Sequence, residues 1–274
     1  MKKWVVKEKQ IGETPLEVAE NYRKEAELAA DVSIAYAGRL DPMASGKVLL
    51  LLGDECKKQK DYFGLDKEYE FEVLFGASTD TGDVLGLLTN TKSAHPLSSV
   101  QPPEVAQIGE VVRGLVGKQT FPYPKFSSKT VQGKPLHMWT LEGKLDEIEI
   151  PTTESSIYNL RCTDVRTVSE TALRETIFEK INSFTEVTDP KKALGADFRR
   201  AEVRQGWHDY FEHKKDTVFC IARFRATVSS GTYMRTLAEE IGKRLDTPAL
   251  ALSIHRTRIG KYYPPFRVWL KQYR

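Results

Sequence analysis

"GRLDPMASGKVLLLLGDE", residues 38–55, decides how this chain folds. Residues 48–52 are five aliphatic side chains without a break. A short uninterrupted apolar run closed by Gly53 reads as a strand buried on both faces, with a short helix expected after it. The residues in front are turn chemistry: Gly38, Asp41, Pro42 and Gly46. Asp41 is a lone carboxylate at the mouth of that strand. An aspartate before proline commonly does no more than cap the local backbone. A carboxylate held rigidly at a strand mouth is equally where a nucleophile would sit. On this stretch alone both readings stand.

Outward from it, strands outnumber short helices. Residues 4–6 form a short strand, and Thr14-Pro15 opens a helix with Thr14 as N-cap and Pro15 at its first turn. Apolar residues at 16, 19, 22, 26 and 29 keep helical spacing. Residues 69–75 alternate around Glu70 and Glu72, a half-buried strand, and Asp80, Gly82 and Asp83 make a tight polar loop after it. Strands are also expected at 157–168, 218–228 and 250–259. Residues 232–245 read as a helix capped by Thr232, with Met234, Leu237, Ala238, Ile241 and Leu245 facing the core. The connections are irregular rather than strict βαβ units. The expectation is an α+β fold with a mixed or antiparallel sheet, in one large domain or two ordinary ones.

Two segments stand apart. Residues 119–143 mix proline, aromatic side chains and lysines, Lys129 and Lys134 among them, with little periodicity before Pro135. That composition suits an extended surface arm, or a surface where charge grips phosphate and rings stack on bases. Residues 169–215 look helical and very polar.

Composition narrows the classes. The 274 residues are 40% apolar with net charge +3. The longest aliphatic run falls far short of the ~20 residues that span a bilayer, and the N-terminus is charged too early for a signal peptide. A soluble, cytoplasmic protein without a membrane partner is expected. Three isolated cysteines and five scattered histidines give neither a disulfide framework nor a metal site. Residues 221–274 carry eleven Lys and Arg against three acids, a local excess that would attract a polyanion or simply face solvent.

Three further positions bear on Asp41. Arg235 follows a glycine corner at a helix start, where a guanidinium can reach a carboxylate and fix its orientation and charge. Tyr69 opens a strand where a ring can emerge into a cleft. Lys9, in a strand exit, is a third group able to face that cleft. Together these are parts for gripping a flipped-out base and attacking its nucleotide.

The quoted stretch, extended to "YAGRLDPMASGKVLLLLGDECK", resembles the signature of the TruB-type pseudouridine synthases. "DKEYEFEVLFGASTDTGDVLG", "PYPKFSSKTVQGKPLHMWTLEG", "VSSGTYMRTLAEEIGKRL" and "LSIHRTRIGKY" are similar to four more of that family's motifs, in the same order. The resemblance implies the pseudouridine synthase fold, a mixed, mainly antiparallel central sheet flanked by helices in one domain over residues 1–274, and isomerisation of a uridine in the T arm (stem-loop) of transfer RNA, with no cofactor and no protein partner, by a monomer. Asp41 would be the nucleophile, at ribose C1′ or at C6 of the base, and Arg235 would pair with it. Tyr69 would stack on the base and help remove the C5 proton. Tyr233 would line the pocket, Lys9 would support it or meet phosphate, and Asp83 would position RNA or the flipped base. Residues 119–143, with Lys129 and Lys134, would clasp the stem-loop.

The departures are Tyr36 where relatives carry histidine, Arg39 where they carry a small residue, and Gln10 where they carry proline. Tyr36 would wedge the loop by bulk, and Arg39 would add a phosphate contact or narrow the site. No PUA domain is expected after "GKYYPPFRVW". Residues 169–215 would be an extra insert, either a substitute RNA-binding element or a solvated decoration. A synthase acting on another RNA, and an RNA-binding protein without catalysis, are the rival functions.

Overall fold

The computed structural model describes residues 2–89, 103–184 and 199–274. In chain order the elements are β1 (Trp4–Lys9), α1 (Pro15–Glu25), β2 (Ile34–Ala37), β3 (Ser45–Leu52), β4 (Asp66–Phe75), α2 (Val105–Leu115), β5 (Gly117–Pro122), β6 (Thr130–Val131), β7 (Lys134–Pro135), α3 (Leu136–Leu141), β8 (Thr152–Ser169), α4 (Glu170–Asn182), α5 (Arg200–Glu212), β9 (Val218–Val228), α6 (Met234–Arg244), β10 (Ala249–Tyr263) and β11 (Val268–Tyr273). A 3₁₀ segment, Gly53–Tyr62, stands where a short helix was expected. One sheet runs β1-β3-β10-β4-β9-β8-β5, with β2 added to β3 and β11 to β10. Its pairings are antiparallel except β3 with β10. β6 and β7 form a separate small hairpin.

The aliphatic run has a physical reason. β3 is flanked by β1 on one edge and by β2 and then β10 on the other. Val48 and Leu50 enter the main core, while Leu49 and Leu51 enter a second cluster with Ala37, Leu65, Ile259 and Tyr273. Alternate side chains serve cores on opposite faces, so no position of the run can be polar. The parallel contact depends on Gly46. A Cβ there would lie 2.4 Å from the Arg256 carbonyl oxygen and 2.5 Å from its nitrogen, and φ is +111°. Only glycine lets β10 approach so closely.

α1 begins as expected, with a full capping box between Thr14 and Glu17. It ends at Glu25, so Ala29 lies beyond it. α6 is capped differently from expectation. Tyr233 is the N-cap residue, and the Thr232 hydroxyl donates to the Ser229 carbonyl rather than accepting from an N–H of the helix's first turn. β11 was not anticipated from the sequence.

The described parts of residues 169–215, namely 169–184 and 199–215, are not a solvated decoration. Of this segment, 185–198 lie outside the described residues. In the remainder, Leu173, Ile177, Ile181, Val203, Trp207 and Phe211 are buried in the main core. Trp207 Nε1 donates to the Val84 carbonyl at 2.9 Å, and the Tyr210 hydroxyl donates to the Gly76 carbonyl at 3.2 Å. α5 thus holds the loop after β4, and α4 packs against α5. Part of the basic excess of the C-terminal quarter is also committed within the fold. Arg223, Arg225 and Arg258 pair with Glu72, Glu70 and Glu68 across β4, and Arg235 and Arg256 are buried. Among the described residues no helix is long and apolar enough to cross a membrane.

Candidate active site

Asp41 stands in the turn between β2 and β3, and two buried cations hold that turn by its carbonyls. Lys9 is fully buried. Its Nζ donates to the carbonyls of Ala44 (2.6 Å), Gln10 (2.9 Å) and Pro42 (3.2 Å). Arg256, also fully buried, donates from Nε to the Lys47 carbonyl at 2.6 Å and from Nη1 to the Arg39 carbonyl at 3.1 Å. Four carbonyls of the 39–47 turn are therefore gripped from below. All three Nζ donors of Lys9 are thus directed at backbone carbonyls and none at the surface. Burial, opposed by Glu13 and Asp41, pulls its pKa down to about 8.

Arg235 comes from the first turn of α6, where the helix dipole opposes a cation. Two carboxylates offset that cost. Its Nε donates to Asp41 Oδ2 at 2.8 Å and lies 3.7 Å from Asp83 Oδ2. Nη1 donates to the Thr81 carbonyl at 2.8 Å and Nη2 to the Phe126 carbonyl at 3.1 Å. The guanidinium is 5% exposed, whereas the Asp41 side chain is 35% exposed. The pair therefore has a locked cation and an accessible carboxylate, the asymmetry a nucleophile requires. Burial works against the Arg235 charge, but Asp41 and Asp83 outweigh it and hold its pKa above the ordinary value. Asp83 is buried, with Oδ1 accepting from the Thr81 hydroxyl and the Leu85 N–H. Burial pushes its carboxyl pKa up, against the pull of Arg235. Asp83 thus faces Arg235.

Two cavities meet at Asp41. One, of about 540 Å³, is lined by Tyr36, Lys67, Tyr69, Ser230 and Arg256, among others. The other, of about 480 Å³, is lined by Asp83, Phe126, Ser127, His137, Leu141 and Arg199, among others. Arg39, Asp41 and Tyr233 line both. The Tyr233 ring meets Tyr123 edge-on at 5.8 Å. Burial, then the Asp41 charge, raises its hydroxyl pKa.

The fold thus brings Tyr36, Arg39, Asp41, Tyr69 and Tyr233 to one cleft. Of the arm lysines, Lys129 is exposed with its Nζ 5.1 Å from the Tyr123 ring centroid. Lys134 is committed to Glu142 at 2.6 Å and to the Trp139 ring at 3.6 Å, so it braces the arm. That arm is more ordered than its composition suggested, with β5, the β6–β7 hairpin and α3. Arg39 donates to the Ser128 hydroxyl and thereby ties the arm to the Asp41 turn.

Sequence reasoning passed over Lys67, Phe126, Arg199 and Arg256. Arg256 carried a signal, an arginine at an inward position of a strand otherwise apolar there. Lys67, two residues before Tyr69 on the same strand face, carried a weaker one. Its Nζ donates to the Leu65 carbonyl, and burial lowers its pKa to about 8. Phe126 and Arg199 carried none, because their roles depend on contacts between segments far apart in sequence.

Residues 26–178 match the family model of the TruB family pseudouridylate synthase N-terminal domain. Among curated proteins, the chain is 28% identical to tRNA pseudouridine synthase 4 of Saccharomyces cerevisiae, covering 82% of this chain and 60% of that protein. It is 30% identical to tRNA pseudouridine synthase B of Geobacillus kaustophilus, covering 85% and 62% respectively. The match to tRNA pseudouridine synthase B of Caldicellulosiruptor saccharolyticus is 26% identical and covers 93% and 66%. The chain thus spans less than two thirds of the length of these relatives. Among solved structures, a chain of a Cbf5-Nop10-Gar1 complex superposes with a TM-score of 0.51 at 16% identity, covering 94% of this chain and 48% of that one. That likeness is one of fold.

Proposed function

The chain belongs to the TruB family of pseudouridylate synthases, and from that premise we propose that it isomerises a uridine in the T arm of transfer RNA, with Asp41 as the nucleophile. The observation that carries this reading is the accessible Asp41 carboxylate, aimed by a buried arginine, at the junction of two cavities with Tyr69 in one wall.

In the reading we favour, the uridine is extruded and its base lies against Tyr69. Asp41 attacks ribose C1′, and the C1′–N1 bond breaks with its electron pair left on uracil. The freed uracil turns and its C5 attacks C1′, releasing the Asp41 carboxylate. The C5 proton is then lost, with Tyr69 placed to assist, and N1 takes up a proton. Atoms and charge balance without a cofactor. Arg235 keeps Asp41 oriented throughout. Residues 119–143 lie over Asp41 through Ser127, His137 and Leu141, which supports their role as the clasp for the stem-loop, with Lys129 outermost. The acceptance of transfer RNA is supported by the similarity to tRNA pseudouridine synthases of yeast and bacteria.

Unmodified transfer RNA incubated with the protein should gain pseudouridine at one T-loop position, and Asp41→Asn should abolish it. Turnover surviving in Asp41→Asn would overturn the nucleophile. Modification only in some other RNA would keep the chemistry and change the substrate. Tight binding without any pseudouridine would make the protein an RNA-binding one without catalysis.

A further inference from the structure

Arg199 lies within residues 169–215, the segment to which the sequence resemblance assigns no role. It precedes α5 with φ of 51°, in the left-handed region. A non-glycine residue held there is strained, and such a conformation is retained where surrounding contacts fix it. Those contacts are specific. Arg199 forks onto Asp80, with Nη1 donating to Oδ2 at 2.6 Å and Nη2 to Oδ1 at 3.0 Å. Its guanidinium carbon lies 4.6 Å from the centroid of the Phe126 ring. A planar guanidinium suits both tasks, the bidentate pair and the stack, as an ammonium would not.

Both partners adjoin the groups that hold Arg235. Asp80 precedes Thr81, whose carbonyl takes Nη1 of Arg235, and Asp80 Oδ1 also accepts from the Leu87 N–H at 2.9 Å. Phe126 itself offers the carbonyl that takes Nη2. These acceptors come from the loop after β4 and from the arm, far apart in sequence. Arg199 touches both segments and lines the cavity that also contains Asp41 and Arg235.

We propose that Arg199 is a positioning residue for the Asp41–Arg235 pair. It ties the Asp80 loop to the arm at Phe126, and so holds in place the two carbonyls that aim Arg235 at Asp41. The inference rests on the reading of Asp41 as nucleophile only for its effect on rate. Its structural content is the aim of Arg235.

The test uses Arg199→Met, Arg199→Lys and Phe126→Leu in the full chain, with two readouts. One is the NMR signal of the Arg235 Nε–H, assigned by its loss in Arg235→Lys. The other is single-turnover rate against affinity for unmodified transfer RNA. Arg199→Met should move the signal and lower the rate about tenfold or more, with affinity changed less than about twofold. Arg199→Lys should recover part of the rate, because an ammonium still reaches Asp80. An unmoved Arg235 signal in Arg199→Met overturns the proposal, as does a loss confined to affinity, which would make Arg199 an RNA contact. Should Arg199→Met not fold, Phe126→Leu keeps the carbonyl and removes the ring. A shifted signal there supports the tie, and an unmoved one overturns it. A wild-type protein inactive on every RNA would defeat the proposed function, while the NMR comparison would still decide the role of Arg199.

Discussion

Lys9 shows how a single side chain can be misjudged from its neighbours in sequence. In "KEKQIG" it looks like a surface cation, yet it is fully buried and spends its three donors on backbone carbonyls around Asp41. Lys9→Met should therefore lower turnover about tenfold while leaving RNA affinity nearly unchanged, because it loosens the turn without removing a phosphate contact. Loss of affinity with normal turnover in a titration would restore the phosphate reading. The pH dependence follows from its pKa near 8, shared by Lys67. Both groups are depressed from 10.5 by burial. Between pH 8 and 10.5 the unfolded chain keeps protons that the folded chain has released, so their contribution to stability rises with pH across that window. Below pH 8 both states are protonated and the burial cost is felt in full. Urea melts over this window should show a positive slope, of order 1 kcal/mol per pH unit for each lysine, and Lys9→Met should remove about half of it.

At the scale of elements, β3 and its contact with β10 carry the site. The close approach at Gly46 puts Arg256 under the Asp41 turn, so the strand pairing and the clamp are one feature. Gly46→Ala places a methyl within 2.4 Å of the Arg256 carbonyl oxygen, a backbone atom that cannot swing away. Destabilisation of about 3 kcal/mol or more is expected, read as a lower urea midpoint. An unchanged midpoint would mean that β3 and β10 are not held at this distance. The alternation of residues 48–52 between two cores was not legible in sequence. A run of five aliphatic residues announces burial on both faces but not what lies on each.

At the scale of the molecule, α4 and α5 belong to the core. Their sequence looked like a polar insert because their apolar residues are sparse and widely spaced, and because much of each helix surface faces solvent. Trp207 and Phe211 nevertheless close the core beneath the loop that carries Asp80 and Asp83. Excision of residues 169–215 should therefore abolish cooperative unfolding, and not merely raise the KM for RNA. A truncated protein that still melts as one sharp transition would return the segment to the status of an appendage. The ion pairs across β4 make the same point about charge. Arg223, Arg225 and Arg258, counted along the chain as part of a basic excess, are each paired with a glutamate of an earlier strand.

The sequence by itself determined the local devices: the capping box at Thr14, the buried strand after Asp41, the glycine corner before Arg235, and the conjunction of Asp41, Tyr69 and Arg235. Each follows from residue types within a few positions, or from motifs whose order along the chain is itself information. Only the tertiary structure decided that Lys9 and Arg256 hold the turn, that Asp83 faces Arg235, and that Arg199 and Phe126 meet beside the site. The physical reason is that these roles are set by buried polar groups finding partners. A donor or acceptor removed from water must be satisfied by whatever the fold brings within about 3 Å, and that partner has no fixed distance along the chain.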